Sequence, residues 1–457
     1  MLKSEIWNRR VTALLVVLVL AAALRLSLLG SKSLWFDETF SVEFSQQTPE
    51  RLWQSNASRP ETHPPLYYHG LHHWMDWFGD SETSVRMPSA LVSLLNVALI
   101  YVLGRRLFSH RVGLLAAALL ALSPLNLWYA QEARMYLFMT AIMLLAAILL
   151  TWDSWWAIPP LTATFAIGLY MDYTMLPIWA LLSALWLVSW WQQGRPWQRL
   201  LIWFSASLIA WLFFLPWLAK FYKVLEKFST VHIFVRLNET LGLPFLTPGQ
   251  YLLVMLLGLV ILIPLLALLL ALQRHEKTKF WLSAIVLAGF VLATLMMPIP
   301  RFYGIKRLLV QIWPLMILWA AWIVDQTGNW RRRITWSLLA LSLVASLITL
   351  LAVRKDDWRG AVAYVNENAS HTDVAWIDPV YNRMAVSYYD LNLPFETERT
   401  ASLEELSASD LWLIAQRFPG QAIPSSPTEQ LLDDNLELVE LIAFYRLEVR
   451  HYRIKEQ

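Results

Sequence analysis

The stretch VTALLVVLVLAAALRLSLL, residues 11–29, is followed at once by Leu34-Trp35-Phe36-Asp37-Glu38-Thr39. A helix rises about 1.5 Å per residue, and the hydrocarbon core of a bilayer is about 30 Å thick, so a run of this length is a candidate span. The basic start, Met1 to Arg10, resembles the head of a secretory signal. The apolar run continues to Leu29 with no small-residue cleavage pattern after it, so it reads as a retained first helix.

Working outward, further candidate spans lie at 87–104, 111–129, 135–152, 156–171, 174–191, 199–217, 250–272, 280–297, 308–325 and 334–353. With the first, this makes about eleven transmembrane helices and an α-helical polytopic membrane protein. Composition agrees: 57% of the 457 residues are apolar and only 16% are charged, too apolar for a soluble chain of this size. The 26 Trp and 16 Tyr cluster near the expected membrane borders, where amphipathic rings are favoured.

Charge divides the chain in two. From Arg354 onward there are 10 Lys/Arg and 18 Asp/Glu, a net of −8; the preceding part has a net of +11. The expected division is a membrane module over 1–353, with a long first outer loop at 30–86, and a soluble α/β domain over 354–457. In that domain Asp373–Ile377, Met384–Tyr389, Leu411–Ala415 and Ile442–Arg450 read as strands, and Trp358–Asn368 as a helix. In the first loop, Phe40–Trp53 and Leu66–Phe78 are amphipathic runs suited to the interface plane. Short loops with dense Lys and Arg favour a cytoplasmic N-terminus, which puts the C-terminal domain on the extracytoplasmic side. The chain has no cysteine, which excludes disulfides and thiolate chemistry, and it shows no nucleic-acid motif.

The expected outer side collects the polar residues that could carry chemistry. Asp37 and Glu38 are adjacent carboxylates beside an aromatic pair, suited to general-base work on a hydroxyl; the plain alternative is a solvated loop start. Glu61-Thr62-His63-Pro64-Pro65 offers His63 as a base, a metal ligand or a phosphate contact, or merely as packing at a rigid turn. Glu132 and Arg134 fall at the outer end of the third span or the start of the fourth, with Tyr136 just beyond, and an interfacial ion pair is an equal alternative. Arg301, Lys306 and Arg307 place three cations in a short outer loop against the positive-inside tendency, and an anionic lipid phosphate is their natural partner. Asp172 reads as a turn residue, and Lys355-Asp356-Asp357-Trp358-Arg359 as a segment that positions the C-terminal domain.

Taken in order, these strings resemble the GT-C glycosyltransferases that use lipid-phosphate sugars. The chain looks like the family-39-type branch, related to the protein O-mannosyltransferases and the lipid A aminoarabinose transferase. The resemblance rests on Leu34–Glu38, His63–Tyr68, Gly79–Glu82, Arg86–Ser89, Gly104–Phe108, Gln131–Tyr136 and Asp357–Arg359. It implies a catalytic Asp37, Glu38 arranging the acceptor or the site, Arg134 on the donor phosphate, and the Arg301–Arg307 segment on the carrier phosphate. It also implies a polyprenyl-phosphate sugar donor, a bilayer, an acceptor that is a glycolipid, polysaccharide or protein, and a bacterial or archaeal plasma membrane. Some relatives carry a metal-binding Glu two residues before the Pro pair, where this chain has Thr62. A divalent metal, with Glu61 and His63 as weak ligand candidates, therefore stays open, and no cofactor is implied with certainty. Two other readings remain: a transporter of lipid-linked saccharides, and a non-catalytic membrane scaffold.

Overall fold

A computed structural model of the chain describes residues 2–55, 63–192, 196–230, 304–396, 410–417 and 427–453. Within these, helices dominate: α1 (Leu2–Leu26), α2 (Phe36–Ser45), α3 (Pro49–Ser55), α4 (Leu66–Phe78), α5 (Glu82–Leu107), α6 (His110–Ala121), α7 (Pro124–Ala130), α8 (Tyr136–Leu149), α9 (Ile158–Met171), α10 (Met175–Gln192), α11 (Trp197–Thr230), α12 (Gly304–Asp325) and α13 (Arg331–Leu351). Three stretches are long and apolar enough to cross a membrane, Glu82–Leu107, Trp197–Val224 and Gly328–Leu351, or four if α6 and α7 make one bent span. The expected eleven are not reached among the described residues. Several apolar helices are shorter than a full span, such as Tyr136–Leu149, and the runs at 250–272 and 280–297 lie outside the described residues.

The helices pack through one apolar core. Helices α5 and α6 touch backbone to backbone: a Cβ on Gly104 would come within 2.7 Å of the Gly113 Cα, so both positions need glycine. The bend of 58° between α6 and α7 is written in Ser123-Pro124. Pro124 lacks an N–H to donate and starts the new helix, while the Ser123 side chain accepts from the Asn126 N–H. Breaking a helix inside a core strands its last carbonyls. Arg25 of α1, fully buried, answers them: it donates to Leu120 O (3.1 Å), Ala121 O (2.8 Å), Asn126 Oδ1 (2.9 Å) and Ser93 Oγ (2.6 Å).

The C-terminal part is a sheet of order β2-β1-β3-β5-β4 with helices on both faces. Its elements are α14 (Trp358–Asn368), β1 (Val374–Asp378), α15 (Arg383–Tyr388), β2 (Phe395–Glu396), β3 (Asp410–Gln416), α16 (Pro427–Asn435), β4 (Glu437–Phe444) and β5 (Leu447–Arg453). Strand β3 runs parallel to β1 and antiparallel to β5. Side chains alternate along a strand, so Trp412 and Ile414 pack with Trp358, Val362 and Val365 of α14. Leu411, Leu413 and Ala415 pack on the other side with Leu432 and Leu436. Two readings change here. Met384–Tyr389 falls on helix α15, because a short apolar run has no period that separates strand from helix. Ile442–Arg450 is split between β4 and β5 by a turn at Tyr445-Arg446, where Arg446 adopts a φ of 61°.

This domain is stitched to the segment between α1 and α5 and to the first residue of α5. Arg359 pairs with Glu82 at 2.5 Å, the Tyr388 hydroxyl donates to Asp80 O at 2.8 Å, and the Leu34 N–H donates to the Tyr389 hydroxyl at 2.7 Å.

Candidate active site

Helix α2 begins at Trp35-Phe36-Asp37-Glu38, and its first turn carries both carboxylates, where the helix dipole favours negative charge. The two then diverge by one position of helical twist. Glu38 is fully buried and spends both oxygens on protein donors. Arg86 of α5 grips it with two hydrogen bonds of 2.8 Å, the Ala133 N–H donates at 3.0 Å, and Lys355 donates at 2.9 Å. Arg86 is itself fixed by the carbonyls of Leu29, Lys32 and Ser33. Burial alone would raise the Glu38 carboxyl, but the charges of Arg86 and Lys355 outweigh it and hold the group well below the usual carboxylate range.

Asp37 faces Arg134 across the helix start. The Arg134 guanidinium donates to the Asp37 carbonyl (3.2 Å), to Ser41 Oγ (3.0 Å) and to the Tyr136 hydroxyl (3.3 Å), and it lies 3.4 Å from His63 Nε2. A guanidinium has five N–H donors, so these contacts leave one without a partner among the described residues. The other His63 nitrogen, Nδ1, lies 3.2 Å from the Asp172 carboxylate at the end of α9, which also accepts from the Thr174 N–H. Glu132, in the α7–α8 connection, is buried with Oε1 3.9 Å from Lys355 Nζ. Its Oε2 has no hydrogen-bond partner among the described residues. Burial raises its pKa, and the neighbouring Glu38 and Asp37 add to the rise, to about 7.

Six of the sequence candidates therefore meet in one place: Asp37, Glu38, His63, Glu132, Arg134 and Tyr136. Glu61 and Arg301 lie outside the described residues, and nothing is described of the Lys306 and Arg307 side chains. At His63 a divalent cation does not fit the described groups. One ring nitrogen meets a guanidinium cation and the other a carboxylate already bonded to Thr174, so no open pair of ligand atoms is offered.

Reading the sequence missed three members. Arg86 appeared only inside a matching string, Lys355 as part of a domain-positioning segment, and Asp172 as a turn. Lys355 lies 317 positions from Glu38, yet it reaches the same buried cluster and also donates to Gln131 O at 3.0 Å. Its ammonium sits 5.3 Å from the centre of the Trp128 ring. The Tyr67 hydroxyl, in the string following the Pro pair, is a further buried polar group with no partner among the described residues.

Comparison with known proteins bears on the fold first. The fold is that of the GT-C glycosyltransferases. The apo structure of ArnT from Cupriavidus metallidurans superposes with a TM-score of 0.57 at 14% identity, covering 99% of this chain and 98% of that one. The oligosaccharyltransferase AglB from Archaeoglobus fulgidus gives 0.51 at 11% identity, covering 90% of this chain and 70% of that one. Residues 62–219 then match the family described as dolichyl-phosphate-mannose-protein mannosyltransferase. The chain thus has the fold of ArnT and, over residues 62–219, is similar to the protein mannosyltransferase family. No curated protein matches it in sequence.

Proposed function

We propose that this protein transfers a sugar from a polyprenyl-phosphate carrier to an acceptor hydroxyl on the extracytoplasmic side of the plasma membrane, with inversion. The observation that carries the reading is the division of labour in the first turn of α2. Glu38 is occupied by Arg86, Lys355 and Ala133, and so it positions the helix. Asp37, one residue earlier and beside Arg134, is the carboxylate assigned to the acceptor proton.

A phosphate is already a good leaving group, so the chemistry needs a base and a sink for charge, not an acid of matched strength. The acceptor oxygen attacks the anomeric carbon and its proton passes to the Asp37 carboxylate. The bond from that carbon to the phosphate oxygen breaks, and the polyprenyl phosphate departs with the electron pair. The remaining N–H of Arg134 and the cations Arg301, Lys306 and Arg307 are assigned to the phosphate, where Arg can donate in pairs. His63 and Tyr136 hold the Arg134 guanidinium in its plane. The acceptor is a glycolipid, a polysaccharide or a protein hydroxyl, and the donor tail lies in the bilayer.

The test is transfer from a panel of radiolabelled polyprenyl-phosphate sugars by wild type and Asp37→Asn, both in lipid nanodiscs with cell extract as acceptor source. Removing a general base costs about 10²–10⁴-fold, so the variant is expected to bind donor and lose transfer by at least about 100-fold. Equal transfer by both would remove Asp37 as the base. Donor binding without transfer by wild type, with every donor, would favour a transporter.

A further inference from the structure

The structure assigns a second, separate site: a transition-metal site on the exposed face of α4, formed by His72, His73 and Asp76. The site does not depend on the proposed reaction. Among the described residues these three bring their ligand atoms within 4.8 Å of one another.

Spacing comes first. His72 and Asp76 are four residues apart and His73 and Asp76 three apart, so all three side chains rise from one turn of helix. His72 Nε2 lies 3.5 Å from Asp76 Oδ2, and His73 Nδ1 lies 3.9 Å from the same oxygen. Two ligand atoms at tetrahedral angles on an ion, each about 2.1 Å away, are about 3.4 Å apart. The first pair already has that separation. The second needs a few tenths of an ångström, and the side chains of His73 and Asp76 are 56% and 57% exposed, free to supply it.

The state of His72 is a second, independent observation. Its Nδ1 lies 2.7 Å from the carbonyl oxygen of Ser45, the last residue of α2. A carbonyl only accepts, so Nδ1 carries the proton. In the neutral ring this leaves the lone pair on Nε2, the nitrogen that faces Asp76. Metal-binding histidines are commonly held this way, with the far N–H on a backbone carbonyl that sets tautomer and ring plane. His72 is only 17% exposed, so its ring is fixed by its surroundings, while its partner Asp76 is 57% exposed.

Two imidazoles and one carboxylate suit zinc and its neighbours, not calcium or magnesium, which take oxygen ligands. A bound ion would pull on His72 and, through the Ser45 carbonyl, tie α4 to the C-terminal end of α2. The competing account is an ordinary ion pair between protonated His72 and Asp76, which binds no metal.

The experiment uses tag-free, chelator-stripped protein in nanodiscs. It is titrated with Zn²⁺ by calorimetry, and with Co²⁺ while following the visible absorption band of a low-coordinate site. Wild type is expected to take up one saturable equivalent, with affinity falling as pH is lowered, because protons compete for imidazole. His73→Ala and Asp76→Asn are expected to bind at least about tenfold more weakly and to lose the band, while melting like wild type without metal. No saturable uptake by wild type, or undiminished uptake by His73→Ala, would overturn the assignment. So would uptake lost on His63→Ala and kept in the α4 variants.

Discussion

Two buried arginines show how differently one residue type can serve the same bundle. Arg25 and Arg86 are 0% and 1% exposed. Among the described residues every acceptor of Arg25 is neutral: helix carbonyls, a serine and an asparagine, most of them near the break of α6 into α7. Arg86 has a counterion, Glu38, which is also held by Lys355 from the far end of the chain. The first arginine repairs the polar damage of a helix break. The second sets the position of α2, and through Lys355 it makes that position depend on the C-terminal domain. Removing either leaves buried acceptors behind, but only the loss of Arg86 leaves a buried charge short of its main partner.

Arg86→Met is the strongest way to test this contrast. Deleting one member of a buried ion pair costs about 3–5 kcal/mol, so the variant in nanodiscs should show a large drop in melting temperature. Molecules that remain folded should have lost transfer, because α2 is no longer anchored. Arg25→Met strands neutral groups only, at about 1–3 kcal/mol for an unsatisfied buried group. Its melting temperature should fall less, and transfer per folded molecule should stay near wild type. Equal destabilisation by the two variants, with transfer lost in both, would erase the distinction between a fold-supporting and a site-supporting arginine.

The same contrast explains what could be read in the sequence. Apolar periodicity reports helices, so α4 and α14 coincide with the runs Leu66–Phe78 and Trp358–Asn368. Adjacent Asp37-Glu38 announces a polar site, and the ordered strings around His63 and Arg134 announce its neighbours. What periodicity does not carry is pairing at a distance. The partners of Glu38 lie 48 and 317 positions away, and nothing local to Lys355 distinguishes a buried ammonium from a surface one. The β4–β5 turn was hidden for a related reason: Arg446 takes a left-handed backbone without the Gly or Asn that normally marks one. Asp37 and Glu38 look interchangeable in one dimension, and only the helical twist gives one to the protein and the other to the proposed reaction.

Glu132 offers the smallest and most selective test, because it shares Lys355 with Glu38 yet has an oxygen without a hydrogen-bond partner among the described residues. Burial, then Glu38 and Asp37, raise its pKa from 4.5 to about 7 in the folded protein. The folded state therefore keeps a proton that the unfolded chain gives up, and stability linked to this group is fully present below the unfolded value. It is lost progressively as pH rises toward the folded value. Glu132→Gln is a neutral near-isostere of the protonated form. It should melt like wild type below about pH 4.5 and at a higher temperature than wild type above about pH 7, following those two limits. If the variant instead melts lower at the higher pH, Lys355 holds Glu132 ionised and the cluster is balanced by two carboxylates, not one. If melting follows the expected course while transfer falls, Glu132 acts on substrate as well, and its unpartnered oxygen is the atom through which it would do so.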